Sequence, residues 1–365
     1  MSSARSPLRS PVALAVTGLL VLLVAGGTVG RLAKSGAPAE AADVPPTSSA
    51  SSTPTRWATP SEPQTRAPRA TPDPTRQPSV LPSVQPAGSV APYVVGASTT
   101  IAPKPQLPGG GFDVFGHHRF LVAYYGTAQT GAMGVLGATE PDTMQRRLER
   151  AARPFREAGE QIQPVYELIV TIADRSPGPD GDYSHDIRRA LVEEYIRAAH
   201  RHGALLLLDI QTGRAPFPEV AKRWAWALED PWVGLALDPE WRMGPHQVPA
   251  SVIGSVKARE VNQTSQWLSR LGHDHGLPEK LFVLHQFRLS MLPDIGDIVP
   301  RPGLAMVQHA DGFGTRGQKL ATYHAITRPQ QFRQGFKLFY HWDVHRFTPQ
   351  EVRRITPAVS FVSFQ

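Results

Sequence analysis

The chain has 365 residues, no cysteine and a formal charge of +7. Without cysteine there is no disulfide framework, thiolate metal site, cysteine nucleophile or lipidated cysteine anchor. Residues 1–104 carry nine Lys/Arg against four Asp/Glu, whereas residues 105–365 carry 29 against 27, so the C-terminal part is nearly neutral and no nucleic-acid partner is expected.

Sixteen of the 36 prolines lie between Pro38 and Pro108, and all 13 histidines lie at or after His117. Composition therefore divides the chain into a leader at 1–34, a Pro/Ser/Thr-rich linker at 35–111 and a large domain at 112–365. In the leader, Arg5 and Arg9 precede an uncharged, largely apolar stretch from Pro11 to Gly30, which Arg31 and Lys34 close. Its length matches the ~20 residues of a membrane span and exceeds the ~7–15 of a cleaved signal's apolar region. A signal anchor, holding the membrane through residues 11–30, and a long signal peptide are both open. Either one exports the domain, as a membrane-anchored protein facing the cell wall or a secreted one. The linker has too little apolar surface to offset its ordering entropy and is expected to be a disordered, extended spacer, with an upper reach of about 200 Å.

Strand-like apolar runs then alternate with amphipathic stretches. Strands are predicted at 119–126, 163–172, 204–211, 233–240, 281–287, 304–310, 336–342 and 358–364. Helices are predicted at 141–158, 186–202, 216–229, 249–275 and 348–354, with less regular segments after the fifth and sixth strands. Leu-rich and β-branched strands alternating with helices imply a parallel sheet covered on both faces. Eight such units in about 250 residues predict a (β/α)8 TIM barrel. A doubly wound sheet is the competitor, but no strand is followed by a Gly-rich phosphate-binding turn. Two His-x-His-Gly segments, His200–Gly203 and His273–Gly276, read as helix C-termini rather than metal sites, because glycine and a cationic side chain both suit that end.

Barrel enzymes carry their chemistry at the C-terminal ends of the strands. Polar residues gather there: Tyr124 and Tyr125; Glu167; Asp209 and Gln211; Asp238, Glu240 and Trp241; His285; Gln308, His309 and Asp311; Tyr340, Trp342 and Asp343. The fourth strand is expected to run through Glu240, so alternation puts Asp238 and Glu240 on one face with Gly234 and Ala236. Two neighbouring carboxylates repel, which raises one pKa and keeps a carboxylic acid protonated near neutral pH. Glycosidic-bond cleavage needs such an acid. Asp238 capping the loop, with Glu240 paired to Arg242 or Arg288, is the structural alternative. Trp224, Trp226 and Trp232 are expected in the core.

The Asp-x-Glu of this strand is similar to the motif of chitinase-type and lysozyme-like muramidase-type barrel glycosidases. That resemblance implies Glu240 as the proton donor and Asp238 as its assistant. The segments LALDPEWR, VLHQFRLSM and AYYG also resemble an uncharacterised family of exported actinobacterial barrel proteins. The reading that follows is a glycoside hydrolase acting on a cell-envelope polysaccharide. Glu240 is its acid, and Asp209, Glu167 or Asp343 its base or nucleophile. The aromatic rings at strand ends, with Gln211, His285, Gln308, His309 and Asp311, are expected to bind sugar. No cofactor and no metal are called for. The alternatives are a non-catalytic glycan-binding barrel, and a metal-dependent hydrolase or deacetylase using His285, His309, Asp311 and Asp238.

Overall fold

A computed structural model describes residues 103–365. The predicted leader and most of the linker lie outside the described residues. Among the described residues no helix is long and apolar enough to cross a membrane.

Eight parallel strands close into a barrel. They are β1 (Arg119–Gly126), β2 (Gln161–Ala173), β4 (Leu205–Ile210), β5 (Val233–Leu237), β6 (Lys280–Gln286), β7 (Leu304–Ala310), β8 (Arg333–Leu338) and β9 (Val359–Phe364). Each pairs in parallel with the next, and β1 pairs with both β2 and β9, which completes the ring. A ninth, short strand, β3 (Ser184–Asp186), folds back antiparallel on the end of β2. The chain is a (β/α)8 barrel, as the alternation predicted.

The helices are α1 (Pro141–Ala152), α2 (Arg189–His202), α3 (Phe217–Arg223), α4 (Ala225–Leu228), α5 (Ala258–Asp274), α6 (Arg316–Ile326) and α7 (Pro349–Arg353). Local chemistry sets several ends. Thr315 with Gln318 and Thr348 with Glu351 form reciprocal capping boxes at the starts of α6 and α7. Gly203 ends α2 at φ +64°, a conformation glycine adopts without penalty. His200 there bonds Asp230 at 2.7 Å and stacks on Trp232, and His202 bonds Asp142 at 2.8 Å. The predicted structural role of the His-x-His pair after α2 is what is found. Trp224 is buried and donates to Thr171.

Side chains of the strands alternate between two apolar layers. Phe120, Val122 and Tyr124 of β1 face the helices, and Leu121 and Ala123 face the barrel axis with Val165, Leu207, Ala236, Val283, Val307 and Phe361. The floor of the barrel is closed in part by residues that composition assigned to the linker. Leu107, from that segment, joins the axial cluster together with Val114 of the domain. Arg119 donates to the carbonyls of Pro108 and Gly110 at 2.6 and 2.7 Å, and Trp232 Nε1 donates to that of Gln106 at 2.7 Å.

Several predicted elements differ. The helix predicted over 141–158 ends at Ala152, the one over 216–229 is divided into α3 and α4, and a regular helix, α6, follows the sixth barrel strand where a less regular segment was expected. β5 stops at Leu237 instead of running to Glu240, because Pro239 has no N–H to continue the ladder. β8 occupies 333–338 instead of 336–342, so Tyr340 and Trp342 lie in the loop beyond it. The long helix predicted over 249–275 begins only at Ala258, and the segment after β6 forms short 3-10 turns.

Candidate active site

Register places the polar residues before any side-chain contact is considered. His285 of β6 pairs with His309 of β7, and His309 pairs with Gly335 of β8. In a parallel barrel, residues level with one another point the same way, and here all point to the axis. Two residues further along β8, and so on the same face, Lys337 is level with Ser363. On the other side, Tyr125 is level with Glu167, and Asp209 with Ala236.

His285 is the centre of this layer. Its Nδ1 lies 2.9 Å from Asp311 Oδ2, and its Nε2 lies 3.0 Å from Glu167 Oε1 and 3.2 Å from Asp209 Oδ2. Glu167, Asp209 and His285 are fully buried. Burial alone would lower the imidazole pKa; the carboxylates of Asp209, Asp311 and Glu167 override it and hold His285 well above its usual range. Lys337 bridges to Asp311 at 3.2 Å and sits 3.4 Å from the centre of the Tyr125 ring. Burial works against ionised Asp311, but the charges of Lys337 and His285 prevail and its pKa falls. Tyr125 in turn accepts a hydrogen bond from Gln211 at 3.2 Å.

His309 stays neutral: burial first, and then the charge on His285, push its pKa well below the usual value. Its Nε2 meets Ser363 Oγ at 2.7 Å, and its ring stands edge-on to that of His285.

At the end of β5, Asp238 accepts the Glu240 backbone N–H at 3.1 Å and caps a 3-10 turn, Pro239–Trp241. The two acids are therefore placed by a turn, not by strand alternation. Burial, opposed by His285 and reinforced by Asp209 and Glu240, raises the Asp238 pKa well above the ordinary value. The Glu240 carboxyl is half-buried and has no hydrogen-bonding or ionic partner among the described residues. Arg242, one expected partner, instead grips Glu260 with two bonds of 2.8 and 3.2 Å. Burial, with the charge of Asp311, pushes the Glu240 pKa up to about 7.

Of the residues singled out in sequence, Tyr125, Glu167, Asp209, Gln211, Asp238, Glu240, His285, His309 and Asp311 come to the C-terminal end of the barrel axis. Four others do not. Tyr124 faces the helices, its hydroxyl 3.2 Å from that of Tyr340, and Tyr340 stacks on Phe364. Gln308 also faces outward, donating to Gln286 and to the Ile326 carbonyl. Asp343 is tied to Lys319 at 2.8 Å and accepts the Phe339 N–H, its side chain fully buried. Trp241 is half-buried in the Glu240 turn, and Trp342 is exposed on a rim loop beside Phe313.

Sequence reading missed Lys337 and Lys319. A lysine within the apolar run FKLFY is the signal that marks Lys337, since an inward lysine in a barrel needs a buried anion.

The fold and this ring of ionisable groups define a (β/α)8 barrel with a charged layer at the C-terminal ends of its strands. No known family model matches the sequence, and no curated protein is detectably similar to it.

Proposed function

We propose that the barrel is a glycoside hydrolase acting on a cell-envelope polysaccharide, with Glu240 as general acid. The observation that carries this reading is Glu240 itself: a half-buried carboxyl at the mouth of the barrel, unpaired among the described residues. A carboxyl raised to about 7 still holds its proton near neutral pH and can give it to a glycosidic oxygen. Asp238 fixes the turn that presents it. Asp311, held by Lys337 and His285, is the carboxylate whose charge acts most strongly on Glu240 and is the ionised member of the pair that such chemistry requires. Asp209, Glu167 and Asp343, whose side chains are fully buried where that of Asp311 keeps slight exposure, are less suited to that part. Trp241 and Trp342 offer ring faces for sugar. In this reading the domain is exported and borne on its leader and linker, and the chain enters at the floor, the end opposite Glu240.

A non-catalytic glycan-binding barrel is the second reading, favoured by the burial of those three acids. Incubating the protein with isolated envelope polysaccharides, and measuring both new reducing ends and co-sedimentation, separates the two. New reducing ends support the hydrolase; co-sedimentation without them supports the binder.

A further inference from the structure

We propose that Glu167, Asp209 and His285 form a binding site for one divalent first-row metal ion, zinc or manganese. Glu167 and Asp209 each offer a carboxylate oxygen and His285 its Nε2, and the three donor atoms lie within 4.8 Å of one another. Nε2 is 3.0 Å from Glu167 Oε1 and 3.2 Å from Asp209 Oδ2. With metal–ligand bonds of about 2.1 Å, donors on one ion stand about 3.0 Å apart at right angles and about 3.4 Å apart in a tetrahedron. Both spacings from His285 fall in that interval.

A second observation points to an ion independently of this spacing. Neither oxygen of Asp209 has a hydrogen-bond partner, nor does Glu167 Oε2, although all three atoms are buried. Oδ2 of Asp209 is close to Nε2 but outside hydrogen-bonding alignment, because the single proton on that nitrogen is directed at Glu167. One proton thus serves two buried carboxylates. Native interiors rarely leave a carboxylate in that condition. An ion in place of the proton would bond both carboxylates and the imidazole together.

The surroundings match those of metal-bound histidines. A ligating imidazole donates its other N–H to a carboxylate, which is itself held by further bonds. Here Nδ1 meets Asp311, and Lys337 anchors Asp311. Two hard oxygens and one borderline nitrogen suit zinc or manganese, and no thiolate is present to favour a softer ion. Three protein ligands leave at least one position for water or a further group. This site lies below Glu240 and does not depend on whether the barrel cleaves polysaccharide.

The test uses the full-length chain, purified without a histidine tag or chelator from metal-replete medium. Metal content is measured by mass spectrometry, and thermal unfolding is followed with and without EDTA. About one equivalent of zinc or manganese is expected in the wild type and in Glu240→Gln. Asp209→Asn and Glu167→Gln should contain several-fold less. EDTA captures an ion released on unfolding, so it should lower the wild-type Tm by about 5 °C or more and leave the depleted variants unmoved. Two variants guard against one failing to fold. Wild-type protein with under about 0.1 equivalent and an EDTA-insensitive Tm would overturn the site. A full equivalent in the folded Asp209→Asn or Glu167→Gln protein would overturn it as well, by placing the ion elsewhere.

Discussion

Gly335 and His309 stand level on adjacent strands, and a Cβ built on Gly335 would lie 2.1 Å from His309 Nδ1. The imidazole occupies the space that every other residue would fill. A histidine can therefore face the axis beside His285, and the layer of ionisable groups can close over the apolar interior. Gly335→Ala must displace either β8 or the His309 ring. Overpacking of this kind costs about 1–3 kcal/mol. Urea unfolding should show a lower midpoint at unchanged slope; an unaltered midpoint would mean that the ring moves freely.

The barrel floor gives a second expectation. Leu107 is buried against the axial cluster although its sequence surroundings are those of a linker. Leu107→Ala should destabilise the domain by roughly 2–4 kcal/mol. The equivalent truncation of Leu289, which is exposed, should fall within about 0.5 kcal/mol of wild type. Equal effects from the two would contradict the packing described.

Lys319 and Asp343 make a buried pair at 2.8 Å that ties α6 to the loop after β8. Lys319→Met strands the Asp343 carboxylate and should cost about 3–5 kcal/mol. Adding Asp343→Leu removes the stranded charge and should restore a substantial part of the loss. A double variant as unstable as the single one would show that the lysine's bonds to the Gly312 and Lys337 carbonyls dominate instead.

The pH dependence follows from Glu240. Its pKa is raised from 4.5 to about 7, so the folded protein keeps a proton that the unfolded chain has released. Stability then falls as pH rises between those values. Glu240→Gln lacks this titration. Between pH 5 and pH 8 the wild type should lose on the order of 1–3 kcal/mol relative to the variant, allowing for partial exposure of the group. Urea unfolding of both proteins at the two pH values measures it, and a constant difference would place the Glu240 pKa at its ordinary value.

Much of the fold could be read from alternation. β1 and β7 begin and end where the apolar runs do, because both are bounded by turn chemistry. β8 was displaced for a reason that local pattern hides. Arg333-Gln334-Gly335 reads as a polar turn, while Phe339-Tyr340-His341-Trp342 reads as a strand. Gly335 is explained only by His309, which is 26 positions earlier in the chain. The acids at strand ends were identifiable because an inward carboxylate has few structural reasons to be there. Their relative placement was not, since Pro239 converts an expected strand into a turn. Tyr124 and Tyr125 show the same limit: one residue of offset puts the first against the helices and the second in the site. Leu107 escaped notice because composition averages over a window and a single floor residue does not change the average.

The central claim is that Glu240 gives its proton to a glycosidic oxygen, and reducing-end release from isolated envelope polysaccharide tests it most directly. Wild-type protein and Glu240→Gln would be compared, with matching circular dichroism showing that both are folded. The account predicts release by the wild type, declining above about pH 7 as the acid ionises, and a loss of at least about 100-fold in the variant. Equal release by both proteins would contradict it and move the acid to another residue of the layer.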